Sequence, residues 1–456
     1  MSTLDRAGAQ ALADRVCRLS DGVALQATVT ATRRRLTRLG NGVVLFSGHV
    51  DDTRVLVRAV LDGAEGTAFT NDLSQEGLTR AVGEATAAAR VAPPVSGHPG
   101  LPDSAAAGEP VAVDAWDEGT AVGDLSAEAA AVGAALAAAR GRDTRLAGVF
   151  VRSAWRVAVA NTLGLHRVTR GTSVQARLIA TCRGASGHAG VMAGSLDTVD
   201  LPALADRAAA VAVAGQEPVD LAPGRFDVVL EPPAVIELLN WLAAIGFRAK
   251  GLADGTSFLA DRLGTAVTGD RVTIRDPGPD TALLPVPFDQ EGVARQPVTF
   301  IEGGIGRAVV HDRRSGARAG CSSTGHWRLD ERFPEPGASP GGLELAAGTD
   351  TGDLVSRLEH GLHIHRFHYV NGFLDPRRAR MTGLTRDGVF EVRHGRPVHP
   401  VRDLRFTEDV LDALGRIDGI GAVLSSVATF RNTIGGAMAA PQLLVRDFAF
   451  TGRCAP

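Results

Sequence analysis

An α+β fold is what this chain predicts, and three observations predict it. Up to about residue 222, strand-patterned runs stand between separate Ala-rich helices. From 223 onward the pattern becomes short strands and turns rich in Gly and Pro. The 456 residues also exceed one ordinary core. Two domains are therefore expected. Residues 1–222 form an N-terminal α+β domain with antiparallel strands and segregated helices. Residues 223–456 form a C-terminal β-rich domain, barrel or sandwich-like.

The elements follow in order. Residues 4–17 carry the Ala/Leu pattern of an amphipathic helix. VALQATVTATRRRLTRLGNGVVLFSG then alternates in strand fashion, with a turn at Asn41-Gly42. A hairpin is predicted around Asp62-Gly63. Asn71-Asp72 is positioned to cap a helix that ends before Pro93-Pro94. SAEAAAVGAALAAARGR reads as a helix, LAGVFVRSAWRVAVANTLG as a hairpin and TSVQARLIATCRG as a strand. PALADRAAAVAVAG closes the first half as a helix. Pro218 and Pro223 mark the boundary. A helix over 233–247 opens the second half, followed by strands such as RVTIRD, QPVTFIEGG, GLHIHRFHYV and GVFEVRHGRPV. Phe333 to Gly342 reads as a loop.

Composition excludes several functions. With 45% hydrophobic and 22% charged residues the chain has an ordinary globular balance. A net charge of −3 without a concentrated basic face argues against nucleic acid. The one tight basic run, Arg33-Arg34-Arg35, reads as a solvated strand end or turn. The single lysine, Lys250, stands in Ala-Lys-Gly, so no phosphate-cradling Gly-Lys-Ser/Thr loop exists. Cys17, Cys182, Cys321 and Cys454 are far apart and form no CxxC. No signal-like N-terminus or 18-residue apolar span occurs, so no membrane partner is expected and the cytoplasm is the expected compartment.

Several local patterns invite a chemical reading. His360, His363, His365 and His368 form the densest histidine cluster. On a strand, His363 and His365 share one face and could share a metal, or simply line a cleft. Gly337-Ala338-Ser339-Pro340-Gly341 matches G-x-S-x-G in form only, because Pro340 has no N–H for an oxyanion hole. Gly303-Gly304-Ile305-Gly306 and Gly419-Ile420-Gly421 read as turns. Cys321 with His326 is a conceivable nucleophile pair, against a buried apolar cysteine as the plainer reading.

VVLEPPAVIELLNWLAAIGF (Val228–Phe247) resembles the helix that opens the catalytic half of the TldD/PmbA family. Gly255-Thr256-Ser257-Phe258-Leu259, Phe288-Asp289-x-Glu291-Gly292 and Ile301-Glu302-Gly303-Gly304 match further blocks. So do Arg366-Phe367-His368-Tyr369-Val370, Thr382-Gly383-Leu384-Thr385-Arg386-Asp387-Gly388, Leu404-Arg405-Phe406 and Pro441-Gln442-Leu443-Leu444-Val445. The first half matches loosely, through its helix and strand order and Thr70-Asn71-Asp72-Leu73.

The departures carry the functional expectation. TldD-type subunits read LL-His-Glu-x-x-x-His, whereas this chain has Asn240, Trp241 and Ile245 at the His, Glu and His positions. Zinc needs nitrogen, sulfur or carboxylate ligands, and hydrolysis needs a base. The late cysteine of TldD-type subunits is also missing from Asn432–Ala437, and Cys454 comes too late to replace it. The resemblance implies a zinc-free, TldE/PmbA-like subunit without catalytic residues of its own. It would work in a heterodimer beside a TldD-like zinc-bearing partner that cleaves peptides. The C-terminal domain would then be metalloprotease-like, with no cofactor in this chain and zinc in the partner. His363, His365, Arg366, His368 and Tyr369 are the residues expected to contact substrate or line its cleft. The alternatives are a repurposed enzyme acting alone on a peptide or small molecule, and a homodimeric peptide-binding module.

Overall fold

The computed structural model describes residues 5–279, 283–330, 333–427 and 436–453. Its N-terminal half is one six-stranded antiparallel sheet in the order β3-β2-β1-β4-β5-β6. The strands are β1 (Ala24–Gly40), β2 (Val43–Leu61), β3 (Ala64–Thr70), β4 (Arg145–Asn161), β5 (His166–Cys182) and β6 (Ala185–Ala193). Tight turns link three neighbouring pairs at Asn41-Gly42, Asp62-Gly63 and Arg183-Gly184. All six of these residues have positive φ, which matches the twist of the strands they join.

Alternation is strict across this sheet and decides its two faces. Ala27, Val29, Val55, Val57, Ala158 and Ala160 are buried beneath α1 (Arg6–Cys17) and α2 (Gln75–Val91). Toward the other end, Phe150, Ala176, Leu178 and Ala180 lie beneath two later helices. Two short helices, α3 (Ser104–Ala107) and α4 (Glu118–Val122), precede the first of these, α5 (Leu125–Gly141); the second is α6 (Leu201–Ala214). The opposite face of the sheet carries Thr28, Thr30, Thr32, Trp155, Ser173 and Gln175 and, among the described residues, has no helix over it.

The second half contains a closed barrel and a second sheet. β7 (Gly224–Leu230) leads into α7 (Pro232–Gly246) and α8 (Ala249–Ala253). The second sheet is built from β8 (Ile274–Asp276), β9 (Val298–Glu302), β10 (Ile305–Gly306), β13 (Leu343–Leu345), β19 (Ser425–Val427) and β20 (Met438–Ala440), in the order β10-β9-β8-β13-β20-β19. Between β10 and β13 come α9 (Arg313–Ala319) and a hairpin of β11 (Trp327–Asp330) and β12 (Phe333–Ala338). The barrel strands are β7, β14 (His360–Asp375), β15 (Arg380–Arg393), β17 (Leu404–Asp409) and β21 (Leu443–Arg453). β14 pairs with both β7 and β15, so the five close on themselves and leave no free edge between them. β16 (Arg396–Pro400) extends β15, and β18 (Ile417–Ile420) joins β21 after α10 (Val410–Leu414).

α7 lies between barrel strand β14 and the second sheet. It is apolar at nearly every position because both sides are covered. Pro232 and Pro233 open it, where a missing N–H costs no helical hydrogen bond.

Several local expectations need correction. Ser74, not Asn71 or Asp72, caps α2; the Asp72 carboxylate accepts the Ser74 N–H instead. Arg33–Arg35 sits inside β1, where Arg33 pairs with Asp51 at 3.0 Å. The run from Leu146 is one long strand, and its turn comes only at Asn161–Leu165. Phe333–Ala338, expected to be part of a loop, is a strand. Gly303-Gly304 is a turn, but Gly419 lies in β18. Among the described residues no helix is long and apolar enough to cross a membrane.

Candidate functional site: a chamber between the two halves of the chain and the helix beside it

The uncovered face of the N-terminal sheet is the floor of a cavity of about 860 Å³, roofed by the second half of the chain. Its lining mixes hydroxyls (Thr28, Thr30, Ser173), aromatic rings (Trp155, Phe288) and charge (Arg177). Two apolar contacts pin the roof to the floor. Phe288 meets Trp155, Val157 and Val159, while Trp327 and Leu329 meet Leu56.

The Phe288-Asp289-x-Glu291-Gly292 block forms the clasp between the halves. Glu291 accepts from Arg58 Nη1 at 2.7 Å and from the Arg313 backbone N–H at 3.1 Å. Arg58 also bonds Glu65, whose other neighbour is His98. Burial resists ionisation of Glu65, yet His98 and Arg58 hold it down at about 2. Asp289 accepts the N–H groups of Glu291, Val293 and Trp327. Burial and the neighbouring Glu291 push its carboxyl well above the usual range.

α7 carries the three positions of interest. Asn240 is 4% exposed and Ile245 7%, and Ile245 belongs to the main apolar core. The Trp241 ring meets Phe373 edge-on at 5.1 Å and lies over Gly372 of β14. A zinc ion does not fit these residues. Ile245 and Trp241 offer no lone pair, and both are committed to packing. The expected position of the late cysteine, Asn432–Ala437, lies mostly outside the described residues, as does Cys454. Among the described residues no group of three His, Cys, Asp or Glu is placed to hold a metal.

β14 carries all the expected contact residues, along a stretch where its pairing is irregular. Its register with β15 shifts between Ile364 and Arg366, a β-bulge. β15 carries the extra residue, with Asp387 and Gly388 opposite His365 alone. Leu362, Ile364 and Phe367 belong to the core, while His363, His365, Arg366 and His368 are only partly buried. His363 Nε2 is 2.7 Å from Glu231 Oε1, which also accepts from Gln442 at 2.8 Å. Glu231 occupies the N-cap position of α7 but makes no capping bond. The His365 ring sits 4.5 Å from that of His363. Burial, then His363, pushes its pKa down to about 4. Arg366 pairs with Asp387 at 2.6 Å, and Asp387 accepts from Ser186 of β6 at 2.6 Å. Tyr369 is 79% exposed, with positive φ. None of these five lines the chamber directly; Arg177 lies between, its charge acting on Arg366 and His368.

Sequence reasoning did not single out Arg58, Glu291, Arg177 or Glu237 as chemical groups. Glu237 is the sole charged residue inside α7, a signal that was legible. Cys321 is exposed, against the expectation of a buried cysteine. His326 is instead buried between Asp276 (3.2 Å) and Thr324 (3.0 Å).

Comparison with known proteins places this architecture. The model of the PmbA/TldA metallopeptidase C-terminal domain matches residues 223–452, and that of PmbA/TldA metallopeptidase domain 1 matches residues 27–89. The chain belongs to the TldD/PmbA family. A metalloprotease from Methanothermobacter thermautotrophicus is 22% identical over 205 residues, covering 44% of this chain and 43% of that protein. A metalloprotease from Methanocaldococcus jannaschii is 22% identical over 212 residues, covering 43% of each. The chain thus matches less than half the length of these curated relatives. The fold agrees throughout with crystal structures of TldE from Thermococcus kodakarensis (TM-score 0.84, 17% identity, 97% of this chain and 99% of that one) and of a candidate modulator of a DNA gyrase from Thermotoga maritima (TM-score 0.81, 20% identity, 97% and 99%).

Proposed function

We propose that this chain is the TldE-like, zinc-free subunit of a heterodimeric metalloprotease that processes peptides in the cytoplasm. The observation that carries the reading is α7. Where a TldD-type subunit would present two histidines and a glutamate, Asn240, Trp241 and Ile245 stand, and Ile245 and Trp241 are used for packing. The metalloprotease relatives and the TldE fold support the same reading.

In this proposal a TldD-like partner holds the zinc, which supplies an activated water for amide hydrolysis. The residues of this chain provide the chamber. Hydroxyl-bearing strands of the floor suit an extended peptide, and the aromatic rings suit apolar side chains. The Arg58–Glu291 clasp fixes roof to floor, so the space has a defined width.

Co-expression with a TldD-like partner, followed by native mass and zinc analysis, tests the proposal. One zinc per heterodimer, lost on changing the partner's motif histidines and kept on changing Asn240, is expected. Stoichiometric metal on this chain alone, abolished by His363→Ala or His365→Ala, would overturn it in favour of an enzyme acting by itself.

A further inference from the structure

β2 is longer than the strand that covers its outer edge. β3 pairs only with Val55–Leu61, so the outer edge of Val43–Val50 pairs with no strand among the described residues. The run Val43-Val44-Leu45-Phe46-Ser47-Gly48-His49-Val50 contains no acid, lysine, arginine or proline. Charges and prolines are what normally keep a sheet edge from pairing. Here Val43, Val44, Leu45, Phe46 and Val50 are exposed instead, Phe46 to 55% and Val50 to 63%. Five of the nineteen large apolar side chains exposed among the described residues thus fall on one short edge, which marks it as an interaction surface and not as scatter. Two glycines let the larger side chains lie flat. A Cβ on Gly48 would stand 2.6 Å from the Phe46 ring, and one on Gly40 2.5 Å from Leu45.

This edge lies where the chamber is open. Phe46 and Val50 line the cavity and are exposed at the same time, so this side of it faces solvent. On the neighbouring β1, Arg34 stands opposite Val50 and Arg38 opposite Phe46, on the same face. Both arginines are exposed and form no ion pair among the described residues. A matching occupant therefore offers a backbone ladder, apolar side chains, and carboxylates for two guanidinium groups. A second copy of this chain offers only the first two. The acids of its own edge, Asp51 and Asp52, already bond Arg33 and Arg54. A different subunit whose zinc has to face the chamber meets it on this open side.

We propose that the Val43–Val50 edge is the docking strand for the TldD-like partner. A strand of the partner, apolar and flanked by acidic residues, adds to β2 and extends the six-stranded sheet. Its apolar side chains lie against Phe46 and Val50, and its carboxylates meet Arg34 and Arg38. The docked strand closes the open side of the chamber. The inference rests on the reading of the chain as a subunit and adds the surface by which it assembles.

The test uses the full chain and a TldD-like protein that carries His-Glu-x-x-x-His. Affinity is read by surface plasmon resonance and backbone protection by hydrogen exchange. Phe46→Lys and Val50→Lys should each weaken the complex about a hundredfold. The melting temperature of the chain alone should not change, since both side chains stand in solvent. Arg34→Glu should weaken the complex about tenfold. Leu163→Lys, exposed on the turn between β4 and β5, should change nothing. In the complex, every second amide from Val43 to Val50 should exchange more slowly, as a newly paired edge requires. Lysine variants that bind as tightly as the unaltered chain would overturn the docking strand and leave the subunit reading intact. A chain that dimerises alone through this edge, while the TldD-like protein binds regardless of the lysines, would give the edge to a second copy instead. Weakened binding without protection of these amides would overturn the added strand. No complex with the unaltered chain would overturn docking and subunit reading together; a complex without zinc would overturn the subunit reading alone.

Discussion

Arg58 of β2 and Glu291 of the roof, 233 residues apart, meet at 2.7 Å with both side chains almost wholly out of water. Removing one partner of such a buried pair strands the other charge. Arg58→Met should therefore cost about 4 kcal/mol in urea unfolding. Adding Glu291→Gln should recover a large part of that loss. If the double variant is as unstable as the sum of the two singles, the pair is not coupled.

Ile245→Ala removes core volume at a zinc-ligand position. It should lower stability by about 3 kcal/mol, as other Ile→Ala changes in cores do. Trp241→Ala should do the same by unpacking Phe373 and Gly372. Neither should alter the zinc content of the proposed heterodimer; a parallel loss of zinc and stability would contradict the proposed division of labour between subunits.

Acid should loosen the seam between β6 and β14–β15. Burial holds His365 at about 4 and His188 at about 3, both below the ordinary 6.5. The unfolded chain takes up these protons first. Their contribution is complete above about pH 6.5 and is lost as pH falls toward 4. Asp403, raised by burial to about 6 from 3.8, works in the opposite direction between those values, as do the raised Asp289 and Glu237; His311, His326 and His368, also held low by burial, add to His365 and His188. Urea midpoints should fall between about pH 7 and pH 5, and His365→Leu should flatten that slope.

Gly66→Ala should unseat a helix. A Cβ there would stand 2.1 Å from the Ala85 carbonyl oxygen of α2, and backbone cannot move aside cheaply. The melting temperature should drop by several degrees, on the order of 2 kcal/mol. An unchanged melt would mean that α2 can slide along the sheet.

Much of the N-terminal half was legible because alternation is strict: Ala27, Val29 and Ala31 go one way, Thr28 and Thr30 the other. Asn41-Gly42 and Asp62-Gly63 are the residues that their turns demand. The barrel's closure was not legible. It depends on parallel pairing of β7 with β14, some 130 residues apart, and no local pattern records that. The hairpin expected within Leu146–Gly164 failed because β4 runs on past the length at which a turn was looked for. Of the site, the Asn240, Trp241 and Ile245 substitutions are read directly from the chain. The uncovered outer edge of Val43–Val50 is not, since a missing partner strand is a property of three-dimensional neighbours.

The register slip beside His365 stores one spare residue in the β14–β15 pair. Between the pairs Ile364–Val389 and Arg366–Arg386, β15 spends two residues, Asp387 and Gly388, where β14 spends one, and both have positive φ. A one-codon deletion at Gly388 would remove the spare residue and leave the pairs on either side facing as they do. The same deletion elsewhere in β15 would turn every side chain beyond it to the other face of the barrel wall.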